Sequence, residues 1–196
     1  MKKIALIITS MLLAIGLTNA QDYTVASDRL PEHDFSEYKT FDWASGAKIK
    51  ENSFYTLNDY ILKNSIMDAI KGEMEGLGYE QSTTSPDLLI NFLVFEKPTK
   101  FRGYGKVVET NDTYYEYWSS FGSDMKLNGV KEYDLAEGTL LIHMIDKKTG
   151  AMVWQGYASG IMDNDVFDRD KERIKEAVEL VFEKYHERAD DFTTGE

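Results

Sequence analysis

The run DLLINFLVF, from Asp87 to Phe95, constrains this chain more than any other segment. It is nearly continuous in apolar residues, the pattern of a central strand covered on both faces. A short polar loop ending at Pro86 precedes it. Upstream of the loop, Leu62, Ile66, Ile70, Met74 and Leu77 recur at helical spacing, with Asn58 as the N-cap, Asp59 in the first turn and Gly78 as the stop. Lys63, Asp68, Lys71, Glu73 and Glu75 populate the rest of that helix, so one apolar stripe packs on something flat. Further upstream, Tyr38, Thr40 and Asp42 alternate with Lys39, Phe41 and Trp43, which predicts a first strand ended at Gly46. Strand, helix and strand in this order predict a βαβ crossover with its two strands parallel.

Two further units are legible downstream. Thr139 to Ile145 and Met152 to Ser159 read as the arms of a β-hairpin, joined by a turn at Asp146 to Gly150. Ile174, Val178, Val181, Phe182 and Tyr185 mark a second amphipathic helix. Between the two strand regions the pattern is weaker. Lys106–Thr110 and Thr113–Trp118 read as a hairpin around Asn111 and Asp112, and Phe121 to Glu132 as a loop. The order strand, helix, strands, helix predicts an α+β domain: a mixed, mostly antiparallel sheet with both amphipathic helices on one face. Residues 36–189 form this single domain, residues 21–35 with Pro31 a polar arm, and residues 190–196 a flexible tail.

The first twenty residues read as an address. Lys2 and Lys3 precede an apolar run from Ile4 to Leu17, with small residues at Thr18 and Ala20, the three-part pattern of a secretory signal peptide cleaved after Ala20. The run falls short of the roughly 20 apolar residues that cross a bilayer, and no later stretch approaches that length. Cleavage removes two lysines and no acid, so the net charge moves from −12 to −14 over 176 residues. The expectation is an exported protein, periplasmic or secreted, soluble and with no membrane span. A charge of that sign, with no Lys/Arg-rich block, excludes nucleic acid as a partner and disfavours docking on anionic membranes. There is no cysteine, so disulfides, thiolate metal sites, a thiol nucleophile and a lipid anchor on an N-terminal cysteine are all excluded.

Motifs that carry chemistry are sparse. Gly103 and Gly105 begin a G-x-G, but Val108 stands at the third glycine position, and neither a phosphate-binding GK[ST] nor a G-x-S-x-G elbow occurs. Of the three histidines, His33 falls in the arm, His143 in a hairpin strand and His186 in the last helical turns. His143 shares a face with Thr139, Leu141 and Ile145, which predicts a partly exposed sheet position rather than a base. His186 and Asp190 are four apart, but third and fourth ligands are not evident. The acids Asp163, Asp165, Asp168 and Asp170 fail the EF-hand template, with Phe167 at position 5 and Asp168 where Gly is needed, and read instead as acids capping the second helix. No metal or other cofactor is expected, with Asp163 and Asp165 as the metal alternative. Aromatic residues crowd Phe101 to Phe121 and either cover the second face of the sheet or form a stacking platform. Tyr115, Tyr117 and Trp118 are the candidate ligand-binding residues of the latter reading, for a glycan or small ligand. No nucleophile, base and orienting group can be named together, so no enzyme is expected.

Three blocks carry a resemblance: YKTFDW at Tyr38–Trp43, AIKGEMEGLGYEQSTTSPDLLINF at Ala69–Phe92, and GTLLIHMIDKKTGAMVWQGYASG at Gly138–Gly160. Together they resemble the bacterial envelope family known as domain of unknown function 4136, over most of residues 36 to 187. The resemblance implies a compact α+β domain exported to the cell envelope, commonly on lipoproteins, and no activity. It offers no catalytic residues. Many relatives carry a lipobox cysteine where this chain has TNAQ, and His143 stands where an acid is expected, so no acidic-pair chemistry is placed there. Trp43 and Trp154 read as packing residues. The function expected on these grounds is a non-enzymatic binding or assembly module of the periplasm that docks an envelope protein through a sheet face or edge.

Overall fold

A computed structural model describes residues 23–30, 33–44, 58–103 and 131–190. Strands β1 (Thr24–Arg29), β2 (Thr40–Trp43), β3 (Glu80–Gln81), β4 (Leu88–Phe95), β7 (Thr139–Asp146) and β8 (Met152–Ser159) form one six-stranded sheet in the order β1-β8-β7-β4-β2-β3. The remaining strands, β5 (Thr99–Gly103) with β6 (Lys131–Leu135), and β9 (Met162–Asp163) with β10 (Val166–Phe167), pair as two ribbons. Helices α1 (Tyr60–Gly76) and α2 (Lys171–Phe182) complete the fold. The sheet is mixed: β2 runs parallel to both β4 and β3, whereas β4-β7, β7-β8 and β8-β1 are antiparallel. The expected class and the parallel crossover are both present.

The apolar run at 87–95 explains this arrangement. In β4, Leu88, Ile90, Phe92 and Val94 face the helices and join a core with Ile66, Ile70, Met74, Ile174, Val178 and Val181. Each fully buried aliphatic or aromatic side chain there contributes on the order of 1.5–3 kcal/mol. On the far face Leu93 packs with Leu141 beneath Phe101, Tyr133 and Leu135 of the β5-β6 ribbon. Both helices therefore cover one face and the ribbon covers the other.

Helix ends obey local chemistry. The Asp59 side chain accepts the Leu62 N–H at 3.0 Å, so Asp59 rather than the expected Asn58 caps α1. At the other end, Tyr79 N donates to Met74 O and Gly78 N to Glu75 O, a Schellman ending that requires the positive φ of Gly78, +83°. Asp170 caps α2 by accepting from Glu172 N and Arg173 N at 3.0 and 3.1 Å. Between the parallel strands, Asp87 Oδ2 accepts from Lys39 N and Thr40 N, each at 2.9 Å, and from Thr40 Oγ1 at 2.8 Å. Burial works against that carboxylate, but the three donors prevail and hold it below the usual carboxylate range.

Several expectations are corrected. The polar arm at 21–35 contains β1, paired along six residues to β8, and Phe35 is buried in the helix-side core. Backbone pairing places β1, and no alternation of side chains announces it. The strand expected from Tyr38 starts at Thr40, and Lys131 and Glu132, read as loop, belong to β6. α2 ends at Phe182, leaving His186 beyond the helix. The signal peptide, the hairpin at Lys106–Trp118 and most of the tail at 190–196 lie outside the described residues.

Candidate functional site

The two edges of the main sheet differ. At one end β3 is only two residues long, whereas at the other β1 offers six. Leu30 N donates to Val153 O at 2.8 Å, and the register pairs Asp28 with Gln155 and Ala26 with Tyr157. Bonded and non-bonded pairs alternate in an antiparallel ladder, so Val25, Ser27 and Arg29 turn their N–H and C=O groups away from β8. Among the described residues, no strand pairs along that outer side. β1 has neither proline nor a bulge, and of the charges it carries at its end, Arg29 is paired with Glu187 and Asp28 accepts from Tyr133.

Beside this edge, on the helix side, lies a hollow of about 200 Å³ between β1 and the segment Lys184–Glu187 that leaves α2. Its floor is aromatic. Trp154 and Tyr185 meet edge to face at 5.2 Å, and Phe35 meets Tyr185 at 6.0 Å. The Tyr185 hydroxyl lies 2.7 Å from that of Tyr79, and burial pushes Tyr79 up to about 12. On the rim, Arg29 donates to Glu187 at 2.6 Å while its guanidinium sits 4.8 Å from the Phe35 ring centre. Ser27 Oγ donates to Lys184 O at 3.4 Å. Behind the rim, Tyr38 donates to the buried Asp146 at 2.8 Å, so its single proton is committed, and His33 must donate through Nε2 across 2.5 Å. Burial first, then Asp146, raise the Tyr38 pKa, so this phenol stays protonated.

The far face carries a row of polar side chains. Asn91 pairs with His143, His143 with Gln155, and Gln155 with Asp28, one from each of four adjacent strands. His143 is wholly buried, not partly exposed as its strand position predicts, because the β5-β6 ribbon lies over it with the Phe101 ring stacked at 5.5 Å. Burial lowers its pKa to about 3. Tyr133 donates to Asp28 from the same ribbon. Both carboxamide atoms of Asn91 and Oε1 of Gln155 are buried and meet no hydrogen-bond partner among the described residues. A neutral imidazole between two amides packs under an aromatic lid; it is not placed to take a proton from an outside substrate.

Residues singled out from the sequence are dispersed. His33 packs edge to face on Phe35 and His186 lines the hollow, so these two approach the same aromatic floor, whereas His143 is on the opposite face of the sheet. Asp190 pairs with Arg188 at 2.7 Å. Asp170 and Asp168 serve the start of α2, the latter by accepting from Asp170 N at 2.8 Å and pairing with Arg173. Asp163 lies in β9 and Asp165 in the turn after it. Among the described residues, no group of three or more His, Asp or Glu gathers as a metal site. Tyr115, Tyr117 and Trp118 lie outside the described residues. A larger cleft of about 440 Å³ opens where α1 begins, but its Asp59 caps α1 and accepts from Arg169 at 2.5 Å, so these groups are committed to the fold. Arg29, Ser27 and Lys184 carry no motif, and only the structure assembles them.

The family model for Domain of unknown function (DUF4136) matches residues 25–185, from the second residue of β1 to Tyr185 in the hollow. The chain belongs to the DUF4136 family. The match takes in β1, which the three sequence blocks did not reach. No curated protein matches this DUF4136 chain. Among solved structures, it is similar to a PDZ domain protein from Parabacteroides distasonis, with 18% identity and a TM-score of 0.46. That likeness covers 84% of this chain and 36% of the other, so the chain spans about a third of that protein's length.

Proposed function

We propose that this DUF4136 chain is an exported, non-enzymatic module of the cell envelope that binds an extended segment of a partner protein along the outer edge of β1. The observation that carries this is the edge itself: three alternate residues, Val25, Ser27 and Arg29, present backbone donors and acceptors away from the sheet. Strand addition at such an edge draws its affinity from main-chain hydrogen bonds. Export rests on the three-part pattern of residues 1–20, with cleavage after Ala20 and residence in the periplasm or outside the cell. The non-enzymatic reading is supported by the commitments of the candidate groups, with Tyr38 and Asp146 bonded to each other and His143 sealed under Phe101.

The test is fractionation combined with site-specific photocrosslinking in intact cells. The mature chain is expected in an exported fraction with Gln21 at its start, and a crosslinker at Ser27 is expected to capture a neighbour that one at the exposed Glu75 of α1 does not. Retention in the cytoplasm with Met1 in place, or equal capture from both positions, overturns the proposal.

A further inference from the structure

A strand added to β1 meets its side chains as well as its backbone. Because Val25, Ser27 and Arg29 bond outward, Ala26 and Asp28 fall at the non-bonded positions of an added antiparallel pair, where facing side chains come closest. Both are half-buried on the far face of the sheet, Asp28 in register with Gln155 and Ala26 with Tyr157. The two charges of β1 differ in what they meet. Arg29 is matched on the helix side by Glu187 at 2.6 Å. Asp28 accepts from the Tyr133 hydroxyl, a donor that brings no positive charge to the carboxylate. Burial first, then Asp28, raise the Tyr133 pKa, so the phenol keeps its proton and donates it. We infer that the outer edge of β1 takes a basic extended segment of a partner protein, with Lys or Arg opposite Asp28. This rests on the reading of β1 as the binding edge and adds the charge of what binds there.

Charge selects this occupant over others. Opposite charges facing one another across an antiparallel pair stabilise it and like charges weaken it, so Asp28 favours a basic residue and rejects an acidic one. The same sign acts at a distance. The chain carries −12, and −14 once its two leader lysines are gone, a field that draws basic segments in and repels acidic ones. A second copy of this chain fails on both counts. Paired antiparallel about Ser27, it would set Ala26 opposite Asp28, and it brings the same net charge with it. A carboxylate on an edge strand thus discourages pairing between copies of the sheet while it admits a basic partner.

The experiment selects a display library of random ten-residue segments on the mature protein, then measures binding of a synthetic winner by fluorescence polarisation. The expected winners carry Lys or Arg among β-branched or aromatic residues, crosslink to a photoreactive residue at Ser27, and bind more weakly as NaCl rises from about 0.05 M to about 0.5 M. Asp28→Asn, which still offers Tyr133 an acceptor, is expected to weaken a winner about fivefold. Glu75→Gln, on the exposed side of α1, makes the same change in net charge away from the edge and is expected to leave binding within about twofold. Asp28→Arg is expected to reverse the preference, so that a winner with its basic residue replaced by Glu binds better than the original. If Asp28→Arg fails to fold, the comparison of Asp28→Asn with Glu75→Gln decides the matter. Absence of enrichment, winners without a basic residue, or equal effects of Asp28→Asn and Glu75→Gln would each overturn the inference. Winners that crosslink from Ser27 but carry no basic residue would leave the edge reading standing, whereas basic winners that do not crosslink there would overturn both.

Discussion

His143→Gln tests whether the far-face row is as dry as its packing makes it. Burial beneath Phe101 lowers the His143 pKa from 6.5 to about 3. The unfolded chain takes up a proton there as pH falls through 6.5, while the folded chain refuses it until about pH 3. Between those values the unfolded state binds more protons, so this residue's stability contribution is full above pH 6.5 and is lost progressively as pH falls toward 3. By that linkage the loss is about 1 kcal/mol at pH 6 and about 2 kcal/mol at pH 5, relative to pH 7.5. Glutamine keeps a neutral polar group between Asn91 and Gln155 but does not titrate. The assay is urea unfolding of both proteins at pH 7.5, 6 and 5, comparing the decline in unfolding free energy rather than its absolute value. Carboxylates common to both proteins cancel in that comparison. The wild type is expected to lose about 2 kcal/mol more than His143→Gln on going to pH 5. Parallel declines, within about 0.5 kcal/mol, would mean that the imidazole reaches solvent in the native state and would refute the buried row.

Three further outcomes follow from the fold. Asp170→Ala removes the cap of α2 and is expected to cost about 1 kcal/mol in chemical denaturation. Gly78→Ala introduces a Cβ 2.7 Å from Asp190 Cβ at a φ of +83° and is expected to cost more than about 1 kcal/mol, seen as a lowered Tm, with far-UV circular dichroism retained. Tyr38→Phe takes the phenolic donor from the buried Asp146 and is expected to cost about 1–3 kcal/mol, while Lys148 N and Thr149 N still bond the other carboxylate oxygen.

Elements that bury a patterned face were legible in the sequence. The stripe from Leu62 to Met74 is the buried face of α1, and the two-sided run at Leu88–Phe95 is the covered strand beside β7. Turn chemistry was legible for the same local reason, with Asp146 Oδ1 accepting from Lys148 N and Thr149 N and Gly150 at φ +67°. What escaped depends on partners far along the chain. Thr24–Arg29 has only Val25 and Ala26 as aliphatic side chains, both half-buried, and gains its place by backbone pairing to β8, so composition marked it as arm. His143 looked half exposed because its alternation describes a strand, whereas its burial depends on a ribbon contributed by Phe101 and Tyr133. The candidate site combines both kinds of distant partnership, which is why no motif pointed to it.

The pairing of β1 with β8 also sets an order of events. Thr24 leaves the ribosome early, yet its partner Ser159 follows only after nearly all of the sheet has been made. Non-local closures of this kind are slow, and the first strand must remain unpaired until they occur. A nascent chain stopped between Phe95 and Met152 holds every residue of the βαβ unit but no seat for β1. The outer edge of the finished sheet thus cannot exist until β8 has been made, and any partner that binds along its full length reads out a chain whose synthesis has passed Ser159.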